Sequence, residues 1–199
     1  MNARRHLAAG AVVALAWTSS AAYVVQPGDV LSVIAQRHGT SVGALAEHNG
    51  IRDLDHIRAG QVLEIPVLDR DAVGELIATV ASEHGWSPAF VQALAWQESG
   101  WQQDRVSSAG AIGIMQVMSD TGRFVSHHLV GRELDLHDPH DNVVAGVVFL
   151  QHLWELTDGD PELTLAGYYQ GLRSVRENGT FADTDRYVAN VLALRDRFR

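Results

Sequence analysis

The residue in this chain with the clearest chemistry to offer is a carboxylate placed on an apolar surface. Glu98 lies in Ala95-Trp96-Gln97-Glu98-Ser99-Gly100-Trp101. Its segment opens on Ser87-Pro88, a helix start with Ser as N-cap and Pro in the first helical position, and stops at Gly100. Phe90, Val91 and Leu94 form an apolar stripe along that helix. At about 100° per residue, Glu98 falls roughly 80° from Phe90, between Leu94 and Val91 and so on the stripe itself. A carboxyl there loses hydration in its charged form, which raises its pKa toward the range of a useful general acid. Other chemistries find less support. There is no cysteine, which excludes disulfides and thiolate metal sites. His127-His128 and His137-x-x-His140 lack a partner set with familiar ligand spacing, and Asp138-Pro139 breaks the second pair, so neither a metal nor another cofactor is expected.

Two further stretches belong with Glu98. Ser107 to Gln116 is rich in Gly and small residues, at Gly110 and Gly113, which permits close backbone approach to a ligand or to the Glu98 helix. Without Lys or a Walker spacing it does not read as a phosphate loop. Ala166-Gly167-Tyr168-Tyr169-Gln170-Gly171 ends a helix with two aromatics able to lie against sugar rings.

The elements that must position these residues are helical from Asp71 onward. Val73, Ile77, Val80 and Ala81 mark a helix ending at Gly85, and the Glu98 helix follows. Ser119 or Asp120 starts another through Leu129. Asp138-Pro139 opens a longer one with Val143, Val147 and Leu150 inward. Asp160-Pro161 opens the next, which stops at Gly171, and Thr184 caps the last, with Tyr187, Val191 and Leu194 inward. Residues 71–199 thus read as an all-α domain. Residues 23–66 read as a separate β-α-α-β unit: a short strand Tyr23-Val24-Val25, a helix capped by Asp29 and ended by Gly39, a second helix capped by Ser41, and a returning strand Gly60 to Pro66. The fold class is α+β overall, with residues 67–70 as a short linker.

At 199 residues and 46% hydrophobic, the chain can build one good-sized core plus a small module. Its basic residues are all Arg, and the net charge is −9. No basic patch is visible, so nucleic acid is not an expected partner. Arg4 and Arg5 precede an apolar run from Leu7 to Trp17 and the small residues Thr18-Ser19-Ser20-Ala21-Ala22, the anatomy of a secretory signal peptide spanning residues 1–22. The run is shorter than the roughly 20 residues that cross a bilayer. An exported, acidic, monomeric protein without stable membrane insertion is expected.

Tyr23-Val24-Val25-Gln26-Pro27-Gly28-Asp29-Val30-Leu31, then Asn49 and Ile51, then Gly60-Gln61-Val62-Leu63-Glu64-Ile65-Pro66 resemble a LysM module. The resemblance implies binding of N-acetylglucosamine-containing glycans, with Gly28, Asp29 and Ile51 near the groove. Gln97-Glu98-Ser99-Gly100-Trp101, Gly110-Ala111-Ile112-Gly113-Ile114-Met115-Gln116, Asp141-Asn142-Val143-Val144-Ala145-Gly146 and Tyr168 resemble the soluble lytic transglycosylase family, with its goose-type-lysozyme-like helical fold. That implies cleavage of the β-1,4 bond between N-acetylmuramic acid and N-acetylglucosamine without water, leaving a 1,6-anhydro ring, by a protein associated with the cell wall and its peptidoglycan strands. Carried over by position, Glu98 is the acid/base, Ser107 supports the carboxylate or substrate, Gln116 and Met118 line the cleft, Tyr168 orients Glu98 or the sugar, and Tyr187 is a further cleft residue. Ser119 stands where Pro is usual. Tyr169 replaces the usual Asn, with Gln170 as the stand-in for its polar contact.

Hydrolytic glycosidases generally use two carboxylates, and no second acid shares the Glu98 motif. Asp104 and Asp120 are the nearest in sequence and read as solvated or capping residues; either one facing Glu98 would bring back hydrolysis, by a muramidase, as an alternative. A non-catalytic wall-binding protein is the alternative of another class.

Overall fold

Apolar side chains sort into two buried clusters, one for each half of the fold. The computed structural model describes residues 17–38 and 40–199. Most of the expected signal peptide, residues 1–16, lies outside the described residues, as does Gly39. The first cluster gathers Val25, Leu31, Ile34, Ala35, Leu45, Ala46, Leu63 and Ile65. It is built by strand β1 (Trp17–Val24), helices α1 (Leu31–Arg37) and α2 (Val42–His48), and strand β2 (Val62–Leu68). The strands pair antiparallel, Tyr23 opposite Leu63 and Trp17 opposite Leu68. Ser41 caps α2 by accepting from the Ala44 amide at 3.0 Å.

Three details differ from the expectations. Strand β1 starts six residues before Tyr23, because β2 continues to Leu68 and offers backbone partners along that length. The linker at 67–70 is absorbed by its neighbours: Val67 and Leu68 belong to β2, Asp69 caps helix α3 and Arg70 begins it. Asp29 does not cap a helix. Its carboxylate instead accepts from the Tyr23 hydroxyl at 2.7 Å and the Gln26 amide at 2.8 Å, closing the turn between β1 and α1.

The second cluster is helical. Helices α3 (Arg70–Glu83), α4 (Pro88–Ser99), α5 (Ser119–Phe124), α6 (Pro139–Leu156), α7 (Pro161–Ala166), α8 (Leu172–Asn178) and α9 (Ala182–Arg195) enclose it. Pro occupies the first turn of α4, α6 and α7, as the Ser-Pro and Asp-Pro signals predict. Helix α4 packs between α3 and α9, while α6 packs on α3 and α7. Being covered from two sides, α4 buries Ala89, Phe90, Val91, Ala93, Leu94 and Ala95, more than a single stripe.

Two helices expected to be continuous are interrupted by π-helical turns, Val125–Val130 after α5 and Gly167–Gly171 after α7. Such turns often accompany functional sites, and the second carries Tyr168 and Tyr169. Helix α9 begins two residues before Thr184, with Phe181 as N-cap. Thr184 lies inside the helix and so does not cap it; its hydroxyl donates to Gln170 Oε1 at 2.7 Å. The same Gln170 oxygen accepts from the Phe181 amide at 3.1 Å and so takes over the capping from outside. No helix among the described residues is long and apolar enough to cross a membrane.

Candidate active site

Glu98 sits one residue before the end of α4, where Gly100 adopts the left-handed conformation (φ 66°) and returns its amide to the Trp96 carbonyl. The residue is only partly exposed. Its Oε1 accepts a hydrogen bond from the Tyr187 hydroxyl, presented by the buried face of α9. Burial pushes the Glu98 carboxyl up to about 7, against the opposing pull of the Tyr187 hydrogen bond and the Arg105 charge. At neutral pH a substantial share of the carboxyl therefore carries a proton to donate. Burial and the neighbouring Glu98 charge hold the Tyr187 phenol well above its ordinary value, so it remains a neutral donor.

Beyond Glu98 the chain from Trp101 to Met118 takes a shape that comes from side chains more than from its own backbone ladder. Among the described residues it carries two isolated bridges, Val106 to Ile112 and Ile112 to Val117. Asn142, on the inner face of α6, accepts from the Met115 amide at 2.9 Å and donates to the carbonyls of Ile112 (2.9 Å) and Leu136 (3.0 Å). Gln103 donates to the same Leu136 carbonyl at 2.9 Å and accepts from the Ile114 amide at 3.3 Å. Ser99, next to Glu98, donates to the Ile114 carbonyl at 2.8 Å and accepts from the Gln102 amide at 3.0 Å. Ser99 and Asn142 moor this wall of packed backbone to α4 and α6, and Gln103 ties it to the Leu136 carbonyl.

Two glycines make the mooring sterically possible. A Cβ at Gly113, which has φ 76°, would lie 2.7 Å from Asn142 Cγ; one at Gly146 would lie 2.6 Å from Met115 Cβ. Both are places where a side chain on one element takes the space a Cβ would need.

The residues expected in the site divide as follows. Tyr187 touches Glu98 directly. Tyr168 does not: its hydroxyl donates to the Met115 carbonyl at 2.9 Å, and its ring packs against Phe149. It lies close enough to Glu98 for that charge, after burial, to raise its phenol pKa. Gln116 has φ 47° and donates to the carbonyls of Gly113 (3.0 Å) and Arg105 (3.1 Å), bracing the loop from within. Ser107 uses its hydroxyl to accept from the Ala111 amide at 3.0 Å, closing a small turn. Met118 is exposed at the start of α5. Gln170 has its side chain committed to Ser174, Gly179, Phe181 and Thr184, which leaves no free polar atom to stand in for a cleft contact. In the first unit, Gly28 turns with φ 88°, Asp29 closes that turn, and Ile51 packs on the small core, lining a shallow groove with Asn49, Arg52, His56 and Gln61.

Asn142 carries a signal that sequence reading can use, since it shares an inward helix face with Gly146 and Leu150 and is the polar member of that face. Gln103 has no such signal, because it lies in an irregular segment. Asp120 pairs with Arg123 and its side chain is 89% exposed, and Asp104 is exposed. Asp138, His140 and Asp141 cluster closely enough to hold a cation. Their carboxylates already have work, however: Asp138 caps α6 and Asp141 pairs with Arg132.

The transglycosylase SLT domain model matches residues 75–187, and the LysM domain model matches residues 23–66. The soluble lytic murein transglycosylase of Escherichia coli (strain K12) is 28% identical over 131 residues, covering 56% of this chain and 20% of that protein. The N-acetylmuramoyl-L-alanine amidase XlyB of Bacillus subtilis is 47% identical over 49 residues, covering 25% of this chain and 16% of that one. Among solved structures, an inactive variant of lytic transglycosylase Slt from Pseudomonas aeruginosa superposes with a TM-score of 0.58 at 26% identity, over 62% of this chain and 23% of that chain. The chain spans about a fifth of the length of these lytic transglycosylases. A helical architecture shared with them, and a family match that runs from α3 into α9 and takes in Glu98, the Trp101–Met118 segment and Tyr187, lead to one assignment: this chain belongs to the transglycosylase SLT domain family.

Proposed function

We propose that the chain is a peptidoglycan lytic transglycosylase in which Glu98 is the sole general acid/base. The observation that carries this reading is the Glu98 carboxyl itself, raised by burial to about 7 and met by the Tyr187 hydroxyl. In the first half of the reaction the protonated carboxyl donates to the glycosidic oxygen between N-acetylmuramic acid and N-acetylglucosamine, and the C1–O4 bond breaks. The N-acetyl group assists at the anomeric carbon. In the second half the C6 hydroxyl of the same muramic acid attacks C1, and its proton passes to the Glu98 carboxylate. The 1,6-anhydro ring closes, the acid is regenerated, and no water is consumed. A single carboxylate suffices because the nucleophile comes from the substrate, which agrees with Asp120 being paired to Arg123 in solvent.

The LysM module would hold the enzyme on the wall and raise the local substrate concentration without altering the chemistry. Membership in a wall-lytic family supports an extracytoplasmic site of action, reached by export. The deciding experiment is mass spectrometry of digested peptidoglycan. Anhydromuramic acid ends, each one water lighter than a hydrolysed end, are expected. Reducing muramic acid ends would make the enzyme a hydrolytic muramidase, and an unchanged glycan would make it a wall-binding protein.

Because the acid must start protonated, kcat/KM is expected to fall as pH rises through about 7. Tyr187→Phe removes a hydrogen bond that lowers the Glu98 pKa, so the alkaline limb should move to higher pH, while kcat drops roughly tenfold from lost orientation. A pH–rate profile of the variant checks both effects.

A further inference from the structure

The ring of Tyr169 holds a position that the acid, its donor and the moored wall do not use. It stacks on Tyr187 with centroids 4.4 Å apart and planes 22° from parallel, and its hydroxyl donates to Asp183 Oδ2 at 3.3 Å. The ring is therefore held by its face and by its tip, yet the residue is 47% exposed. One face is spent on Tyr187, and among the described residues no second aromatic ring stacks on the other. Tyr187 in turn donates to Glu98, so the open face stands one ring away from the carboxyl. Burial and the charges of Asp183 and Glu98 keep its phenol raised and neutral.

We propose that Tyr169 is a glycan-stacking residue: its outer face receives the apolar face of a pyranose ring on the strand, beside the sugar whose bond Glu98 protonates. The proposal rests on the glycan-cleaving reading above. A large aromatic surface already fixed by a stack and a hydrogen bond loses little conformational freedom when it binds, so its contact area converts efficiently into affinity. The pyranose offers what such a face accepts, a flat patch of C–H groups with hydroxyls at the rim. Tyr169 thereby sets substrate affinity and takes no part in proton transfer.

The test uses the full chain. On soluble peptidoglycan strands, Tyr169→Ala is expected to raise KM roughly three- to tenfold, with kcat within about twofold and the pH limbs unmoved. Tyr169→Phe, which keeps the ring, restores the KM. A fall in kcat or a shifted limb with KM unchanged would overturn the proposal, since the ring would then only brace Tyr187. A separate readout does not need turnover. In isotope-labelled Glu98→Gln protein titrated with a tetrasaccharide of alternating N-acetylglucosamine and N-acetylmuramic acid, amide shifts at residues 168–187 report this site apart from those at 23–66. Adding Tyr169→Ala should weaken the first set three- to tenfold and leave the second unchanged. An unchanged affinity at the first set overturns the stacking role even where the products prove anhydro, whereas hydrolysed products with weakened binding overturn only the transglycosylase reading.

Discussion

Replacing Glu98 with Gln is expected to cut the release of soluble glycan fragments by at least roughly a thousandfold, because one group supplies both proton transfers and general acid–base catalysis alone contributes up to about ten-thousandfold. Wall binding through the LysM module should be unaffected in a pelleting assay. The same substitution is expected to stabilise the protein above neutral pH. In the folded state the carboxyl titrates near 7, against an ordinary value of 4.5. Below 4.5 both folded and unfolded chains hold the proton, and the residue costs nothing. Between 4.5 and 7 the unfolded chain releases it and the folded chain retains it, so stability falls as pH rises. Above 7 the full cost is present, up to roughly 3 kcal/mol. Gln keeps an oxygen to accept from Tyr187 and carries no charge to bury. Denaturant melts should therefore show the variant more stable at pH 8 and indistinguishable near pH 4. Retained lytic activity would remove Glu98 from its role, and equal stability at pH 8 would mean the carboxylate is better solvated than its surroundings suggest.

Asn142→Ala is expected to destabilise the protein by about 3 kcal/mol. The carbonyls of Ile112 and Leu136 keep other donors, in Val117 and Gln103. The buried Met115 amide does not: among the described residues its partner is Asn142 Oδ1, and Ala leaves it unsatisfied beside a new cavity. Urea unfolding measures the loss. Where the variant stays folded, kcat should fall about tenfold, since the moored segment moves relative to Glu98. A variant as stable as the parent would show that water replaces the amide's partner.

Much of the helical half can be read from punctuation. Ser87-Pro88, Asp138-Pro139 and Asp160-Pro161 each open a helix where a missing N–H is free of cost and a side chain or bend ends the preceding segment. Thr184 misleads because the Phe181 amide finds its acceptor in Gln170, eleven residues away, and the helix starts before the threonine. The π-helical turns carry no local signature, since one extra residue per turn is enforced by packing and not by propensity. For the site, the apolar stripe indicated an environment for Glu98, and the cover from α9 that completes it is tertiary. The two tyrosines illustrate the limit. Tyr168 and Tyr187 are both aromatic residues on inward helix faces, and only the relative placement of α9 and the loop decides that Tyr187 meets Glu98 while Tyr168 meets the Met115 carbonyl.

The bare backbone at Gly146 has a consequence of scale. Met115 rests against it so closely that a single methyl would meet Met115 Cβ at 2.6 Å, and Met115 is tied at its amide to Asn142 and at its carbonyl to Tyr168. A thicker residue on α6 would therefore press the whole tied segment away from that helix. The missing side chain acts as a spacer of zero thickness, and the position of the tied segment relative to Glu98 is set from behind, by a residue on α6.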